Sequence, residues 1–139
     1  MDAAEIKELI KKAVKGRENS YSPYSGYAVG AALKTSDGFI FTGCNVENAA
    51  YGPGICAERV AMTKAVSEGH RKFEAIAVVG GKKGEALDMS YPCGTCRQVM
   101  REFADPEKFI VIVASSEDSY ETYTLKEMLP QSFGPDNLA

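Results

Sequence analysis

Residues 75–79 read AIAVV, residues 94–104 read GTCRQVMREFA, and residues 109–114 read FIVIVA. The first and last segments are short apolar runs, typical of strands that are covered on both faces. The middle segment has helical character. A strand, a helix and a second strand in this order predict a right-handed parallel crossover. The three segments therefore predict an α/β fold.

The flanking segments extend this core in both directions. Asp2 and Glu5 form a capping-box pattern that predicts a helix over residues 2–15, with Gly16 as its end. A predicted hairpin joins residues 27–34 to residues 39–43. Further predicted elements are a helix over 56–68, a short strand over 121–123, and a small helix that begins at Thr124 with Glu127 as its capping partner and stops at Pro130. The expected architecture is a single domain, residues 1–139, folded as a three-layer α/β/α sandwich with a mixed sheet of about five strands.

Composition narrows the class of function. The chain has 139 residues, 45% of them hydrophobic and 25% charged, as in an ordinary soluble globular domain. No apolar stretch approaches the roughly 18 residues that a membrane span needs, and the charged N-terminus is unlike a secretory signal, so we expect a cytosolic protein. Sixteen Lys and Arg stand against nineteen Asp and Glu, a net charge of −3. Because proteins that follow a phosphate backbone carry a basic stripe, we expect a small-molecule substrate and no nucleic-acid polymer.

The chain has four cysteines, at positions 44, 56, 93 and 96, and a single histidine, His70. In a chain of this size without a leader, the pattern favours reduced thiols, metal binding or catalysis over disulfides. His70 lies in a polar stretch, where a surface position is expected. Catalytic triads that need a histidine are therefore poor candidates.

Two short motifs carry most of the chemical information, and each opens a predicted helix. The first, CAER, begins at Cys56, and the second, PCGTCR, contains Cys93 and Cys96. Cys93 and Cys96 are three residues apart, so their sulfurs face the same way on a helical turn, and a helix N-terminus favours thiolate over thiol. Three thiolates with one open position are typical of catalytic zinc, which lowers the pKa of a bound water from about 15.7 to about 7.

Glu58 and Arg59 complete this arrangement. Glu58 is too close in sequence to Cys56 to bind the same ion easily, but its carboxylate can reach the bound water and act as a general base. Three thiolates leave the zinc site with a net charge of −1, which disfavours deprotonation of that water. Arg59, on the same helical face as Cys56, can withdraw charge by donating hydrogen bonds to the thiolates, and Arg97 is a weaker second candidate.

Other interpretations of these residues stay open at this point. A single C-x-x-C is often a structural knuckle or a redox pair, and Cys44 as a fourth ligand would give a closed structural zinc site. Cys44 can equally be a small buried apolar residue. Glu58, taken alone, can be a charge on a helix surface. The combination of C-x-E with P-C-x-x-C, each at a helix start, favours the catalytic interpretation.

This combination is the known signature of zinc nucleoside and nucleobase deaminases. Around it, the chain resembles cytidine deaminases of the short, three-cysteine kind over about residues 20–138. The similar segments are SPYSGYAVGAAL at 22–33, NVENAAYGPGICAER at 45–59, YPCGTCRQVMREF at 91–103 and LPQSFGPDNL at 129–138. The resemblance implies that Cys56, Cys93 and Cys96 bind zinc and that Glu58 transfers protons. It also implies that Arg59 reduces the negative charge on the thiolates.

The resemblance also implies a set of substrate contacts. Asn45 and Glu47 would hydrogen-bond the ribose 3′-hydroxyl, although the same pattern fits an Asx turn after a strand. Tyr27, at a position where phenylalanine is common in the family, would pack against the pyrimidine, unless it is simply an inward residue of the first strand. Backbone groups near Ala57 and Cys93 would meet the base edges and the leaving amino group.

The short form of the family is a homotetramer with active sites at subunit contacts. The resemblance therefore implies that Phe133 reaches the base from a neighbouring subunit, together with the loop around Ala49 and Tyr51. The alternative is that Phe133 anchors the tail or core of its own chain.

The implied reaction is the zinc-dependent hydrolysis of cytidine and 2′-deoxycytidine to uridine and 2′-deoxyuridine plus ammonia, in pyrimidine salvage. Three rivals remain: a deaminase of another small cytosine-bearing compound such as a nucleoside antibiotic, a polynucleotide-editing deaminase, and a zinc-stabilised interaction module without activity. The acidic balance and the short chain argue against the polynucleotide deaminase.

Overall fold

The computed structural model describes all residues, 1–139, and contains one five-stranded sheet with strand order β2-β1-β3-β4-β5. The strands are β1 Tyr27–Thr35, β2 Ile40–Cys44, β3 Phe73–Lys82, β4 Ile110–Ala114 and β5 Tyr120–Thr124. The helices are α1 Ala3–Arg17, α2 Ala57–Ser67, α3 Gly94–Phe103 and α4 Leu125–Met128, followed by a 3-10 turn at Pro135–Asn137.

The pairing of the strands confirms the mixed α/β architecture. β1 is antiparallel to both β2 and β3, β3 is parallel to β4, and β5 runs antiparallel to β4. The parallel pair is joined through α3, as the order strand, helix, strand predicts. None of the helices combines the length and the apolar composition that crossing a membrane requires.

The sheet is buried on both faces, and β3 shows this residue by residue. Ala75, Ala77 and Val79 contribute to the core beneath α1. Ile76 and Val78 point the other way, into the core shared with α2 and α3. Successive strand side chains alternate between faces, so an apolar run without polar interruption is what a strand between two helical layers needs.

Two glycines let helices approach the sheet at the level of the backbone. A Cβ on Gly43 of β2 would lie 2.3 Å from the carbonyl oxygen of Ala57 and 2.6 Å from the amide nitrogen of Ala61. A Cβ on Gly30 of β1 would lie 2.1 Å from the carbonyl oxygen of Ala13. The contact at Gly43 fixes the distance between the sheet and the N-terminal turn of α2, and this turn carries the CAER motif.

Several element boundaries differ by one to three residues from those the sequence predicts, and two of these differences are explained by contacts across the sheet. The predicted end of α1 at Gly16 is wrong, because the helix continues to Arg17 and its cap is Glu18. Arg17 donates from Nε to the carbonyl of Ala28 and from Nη2 to the carbonyl of Gly81, and these bonds hold the last turn against the sheet. β3 is also longer than its apolar run, because β1 pairs with it as far as Lys82.

The contact at Gly43 generates a test of stability. We expect Gly43→Ala to lower the free energy of unfolding by about 1–3 kcal/mol, the usual cost of overpacking. Urea denaturation followed by circular dichroism measures the change. Gly52→Ala is the matched control, since a Cβ there would meet no atom closer than 3.9 Å. Equal denaturation midpoints for the two variants would contradict the close helix–sheet contact.

Candidate active site

The N-termini of α2 and α3 bring three cysteines together. Cys56 is the N-cap of α2, Cys93 is the N-cap of α3, and Cys96 lies in the first turn of α3. The three sulfur atoms all lie within 4.8 Å of one another. Neither cap side chain accepts a capping hydrogen bond from a backbone N–H of its own helix, so both sulfurs are available to a ligand.

The spacing of the sulfurs fits a zinc ion. Zinc–sulfur bonds of about 2.3 Å in a tetrahedral site place two ligand sulfurs about 3.8 Å apart. The Sγ atoms of Cys56 and Cys93 are 3.9 Å apart. Cys44, the last residue of β2, is half-buried and lies outside this cluster, so the cluster offers three sulfurs and not four.

Hydrogen bonds to the sulfur of Cys56 stabilise its negative charge. The pKa of the Cys56 thiol is lowered to about 5, first by the hydrogen bond from Cys96 and then by Arg59. Arg59 donates from Nη2 to Cys56 Sγ at 3.5 Å. The pKa of Cys96 is raised, because it is the donor to Cys56 and is buried. Cys96 and Cys56 thus share a proton, and a divalent cation displaces such a proton when it binds the sulfurs.

Glu58 lies in the first turn of α2, beside the cluster, and is only 4% exposed. Burial raises the pKa of its carboxyl to about 6, and the nearby Cys56 adds to the increase. A carboxyl group with a pKa near neutrality can both accept and return a proton, which is the requirement for general acid–base catalysis. A solvated charge on a helix surface would show neither this burial nor this shift.

A cavity of about 560 Å³ opens from this cluster to the surface. Its volume is typical of a site for a small molecule. Its walls are mainly apolar. The lining residues are Tyr24, Ser25, Tyr27, Val29, Asn45, Val46, Glu47, Asn48, Tyr51, Gly54, Ile55, Cys56, Ala57, Glu58, Val78, Ser90, Tyr91 and Cys93.

Glu47 is the second carboxyl group in the lining of the cavity. Its Oε1 accepts hydrogen bonds from the backbone N–H groups of Tyr24 at 3.0 Å and Ser25 at 3.1 Å, and its Oε2 accepts from the Ser25 hydroxyl. The Ser25 hydroxyl is the largest of the causes that lower the pKa of Glu47. The carboxylate is therefore ionised and fixed in orientation.

Asn45 uses its side-chain amide mainly to hold the backbone of β1. Its Nδ2 donates to the carbonyl of Tyr27 at 2.8 Å, and its Oδ1 accepts from the N–H of Val29 at 2.9 Å and from the Ser20 hydroxyl. One Nδ2 hydrogen is left for a ligand in the cavity. The sequence left open whether Asn45 forms a turn or binds a ligand. The two roles are compatible, because the amide group of Asn45 can make both kinds of contact.

Tyr27 projects from the start of β1 into the cavity wall, and its hydroxyl finds a protein partner. The Tyr27 hydroxyl and the Ser90 hydroxyl share a hydrogen bond of 2.6 Å. Ser25, Ser90 and Tyr91 are cavity residues that sequence reasoning missed. For Ser90 and Tyr91, the available signal was their position just before Pro92 and Cys93; for Ser25, it was the turn-forming SPYSG segment.

Of the remaining candidates, Phe133 and Ala49 lie outside the cavity, and Tyr51 lines it. Phe133 is 59% exposed, and its carbonyl accepts a hydrogen bond from Gln98 Nε2 at 2.9 Å. Ala49 is exposed on the loop before α2, while Tyr51 on the same loop is 80% exposed and reaches the cavity rim. His70 pairs with Asp37 between two phenylalanine rings, away from the sulfurs, where it takes no part in the site.

Residues 3–113 match the family model described as the cytidine and deoxycytidylate deaminase zinc-binding region. The chain belongs to this deaminase family. The match contains all three cysteines of the cluster, Glu58 and the lining of the cavity.

Curated and solved members of the deaminase family resemble the chain over almost its whole length. Cytidine deaminase of Sporosarcina psychrophila is 43% identical, covering 97% of this chain and 96% of the relative. The crystal structure of cytidine deaminase from Burkholderia pseudomallei has a TM-score of 0.81 and 44% identity, covering 91% of this chain and 97% of that one. Blasticidin-S deaminase of Bacillus cereus is 30% identical, covering 91% and 90%.

The backbone contacts of Asn45 can be tested in this deaminase. We expect Asn45→Asp to lower the free energy of unfolding by about 1–3 kcal/mol, because the Tyr27 carbonyl loses its donor and faces a carboxylate. Thermal unfolding monitors the loss. Asn48→Asp is the matched control, since its Oδ1 accepts from the N–H of Ala50 and an Asp keeps that bond. A similar loss in both variants would mean that the added charge, and not the lost donor, is responsible.

Proposed function

We propose that the chain is a zinc-dependent cytidine deaminase that converts cytidine and 2′-deoxycytidine to uridine and 2′-deoxyuridine with release of ammonia. The observation that carries the proposal is the buried carboxyl of Glu58, whose pKa is about 6, placed beside three clustered sulfurs at the closed end of the cavity. The family membership and the similarity to cytidine deaminases support the choice of substrate.

In this proposal, Cys56, Cys93 and Cys96 hold the zinc ion. Zinc held there would supply a Lewis acid and a water molecule acidic enough to react near neutral pH. Arg59 lowers the negative charge on the sulfurs through its hydrogen bond to Cys56. This donor offsets part of the excess charge of three thiolates over one divalent cation.

Glu58 manages the protons of the reaction. Its carboxylate takes a proton from the attacking water as the new C–O bond forms at C4 of the base, and returns it to N3. A second proton from the added hydroxyl group passes through Glu58 to the amino group, which leaves as ammonia when the C–N bond breaks. One water is consumed for each ammonia released, so atoms and charge balance.

The other groups of the cavity orient the nucleoside. Glu47 accepts a hydrogen bond from the ribose 3′-hydroxyl, and the free N–H of Asn45 donates to the same oxygen. The ring of Tyr27 packs against the pyrimidine. Backbone groups near Ala57 and Cys93 meet the base edge and the leaving amino group. These assignments place the sugar at the open end and C4 next to Glu58.

We extend the proposal to a homotetramer with shared active sites. Phe133 is well exposed in its own chain and does not line its own cavity, which leaves its ring available to a neighbour. The loop that contains Ala49 and Tyr51 lies at the cavity rim and is likewise exposed. In the tetramer, Phe133 of one subunit would cover the base bound in the next.

The proposal treats residues 1–139 as one domain acting in the cytosol, in pyrimidine salvage and without a nucleic-acid polymer as substrate. A deaminase of a nucleoside antibiotic is the second candidate, favoured by the similarity to blasticidin-S deaminase but at lower identity than the cytidine deaminases. Turnover measured over a panel of cytidine, deoxycytidine and blasticidin S separates the two. A zinc-stabilised interaction module would bind the metal and deaminate none of them.

Glu58→Gln tests the chemistry. We expect the variant to lose about 10²–10⁴-fold in kcat for cytidine, the usual range for one general acid–base group. Glu47, the only other carboxyl group in the cavity lining, is held by Tyr24 and Ser25 and cannot replace Glu58. The measurement is the fall in ultraviolet absorbance together with ammonia release. Zinc content should stay at one ion per chain, since Glu58 is assigned to proton transfer and not to ligation.

Glu68→Gln serves as the matched control, because it makes the same change at the exposed C-cap of the same helix. We expect parental kcat for this variant. If Glu58→Gln stays within threefold of the parent, the assignment of Glu58 is wrong.

Recognition of the 3′-hydroxyl by Glu47 leads to a prediction about substrates. Cytidine 3′-phosphate and cytosine inside an oligonucleotide should react far more slowly than cytidine, because the phosphate removes a donor and repels the fixed carboxylate. Competing turnover assays measure the ratio of kcat/KM values. In Glu47→Gln, we expect a higher KM for cytidine and a smaller ratio, since the repulsion is gone. Comparable deamination of an oligonucleotide by the parent would overturn the nucleoside assignment.

A further inference from the structure

Of the three cysteines in the cluster, Cys93 is the one whose side chain is not fixed by burial. It is exposed, whereas Cys96 is buried in the core beneath α3 and Cys56 is half-buried. Cys93 also ends the loop of residues 83–93 that follows β3. After the bridge between Gly80 and Asp88, no backbone-to-backbone hydrogen bond holds this loop until the Cys93 carbonyl accepts from the N–H of Arg97. Something other than the backbone must fix the last residues of the loop.

Three consecutive residues before Cys93 are each held by a side-chain hydrogen bond to a different element. The Ser90 hydroxyl bonds the Tyr27 hydroxyl of β1 at 2.6 Å. The Tyr91 hydroxyl donates to Oε1 of Glu121 on β5 at 2.5 Å. The carbonyl of buried Pro92 accepts from Nε of Arg97 on α3 at 2.7 Å. We call these three bonds the loop clamps.

The surroundings of each clamp support a fixed position. Ser90 lies directly over β3, where a Cβ on Gly80 would be 2.4 Å from its Oγ and 3.2 Å from Cε1 of Tyr27. The Tyr91 hydroxyl donates to the carboxylate of Glu121, and hydrogen bonds to a charged acceptor are stronger than those between neutral groups. Arg97 is itself anchored, because its Nη1 donates to the carbonyl of Met128 at 2.7 Å.

We propose that the loop clamps position the sulfur of Cys93 for metal binding, so that Tyr27, Tyr91, Glu121 and Arg97 act as positioning residues of the metal site. The proposal rests on the proposed function in assigning Cys93 to zinc. Residues outside the ligand set that orient ligands typically change metal affinity by about 10–100-fold when removed. Tyr27 thereby has a second role besides its contact with the pyrimidine, and Glu121 acts from an edge strand that does not line the cavity.

The test uses the intact zinc-loaded protein mixed with an excess of a chromophoric chelator, with zinc transfer followed by absorbance. Tyr27→Phe and Tyr91→Phe each remove only a clamp hydroxyl. We expect each variant to release zinc about tenfold faster than the parent, and the double variant to release it faster than either single variant. Thermal unfolding midpoints are measured in parallel, and we expect the midpoint of Tyr91→Phe to equal that of the control variant.

Tyr123→Phe is the matched control. The Tyr123 hydroxyl donates to the same Glu121 Oε1 at 2.7 Å, but Tyr123 belongs to β5 and not to the loop. We expect this variant to release zinc at the parental rate. Release from Tyr27→Phe and Tyr91→Phe within twofold of the parent, or equal acceleration in Tyr123→Phe, would overturn the positioning role.

Zinc content and the rate of zinc release distinguish a failure of the proposed function from a failure of the loop clamps. A parent protein that holds no zinc overturns the proposed function, and the loop clamps with it. A parent that holds zinc and deaminates cytidine, with clamp variants that release zinc at the parental rate, overturns the loop clamps alone.

Discussion

Three sulfur atoms lie within 4.8 Å of one another at the meeting point of two helix N-termini, and the negative charge that they would carry as metal ligands constrains the groups around them. Thiolates so close together need positive charge nearby, which the two helix ends, Arg59 and a bound cation can provide. Burial raises the pKa of Glu58, and the negative charge of Cys56 adds to the increase. The chemistry proposed for Glu58 therefore depends first on its burial and then on the electrostatics of the cluster.

The two carboxyl groups that line the cavity have different surroundings. Glu47 is stabilised as an anion by donors from Tyr24 and Ser25, while Glu58 is buried and has a raised pKa. The cavity lining that they share is mainly apolar and includes Val29 and Val78. A ligand with a hydroxyl-bearing sugar at one end and a flat aromatic base at the other matches this division. The arrangement resembles other pairs of carboxyl groups whose environments assign them different tasks.

The sequence predicts best those features whose cause is local. Uninterrupted apolar runs identify β3 and β4, and each half of the cysteine cluster has a local signature at a helix start, although Cys56 and Cys93 meet only through the fold. The end of α1 is mispredicted at Gly16 because the bonds that extend the helix come from Arg17 to distant strands. The bond between Tyr91 and Glu121 has no local signature either, since its partners are far apart in sequence and meet only through the order of strands in the sheet.

The antiparallel pairing of β1 with β3 also has a consequence for the order of folding. The register joins Tyr27 to Lys82 and Thr35 to Phe73, so the whole of β2 and α2 lies inside a closed loop of the chain. Cys56 is inside this loop and Cys93 is beyond it. Long loops close slowly because their entropy is lost before the enclosed contacts form. Because the three sulfurs come from inside this loop and from beyond it, we expect a metal ion to bind them together only in the folded chain.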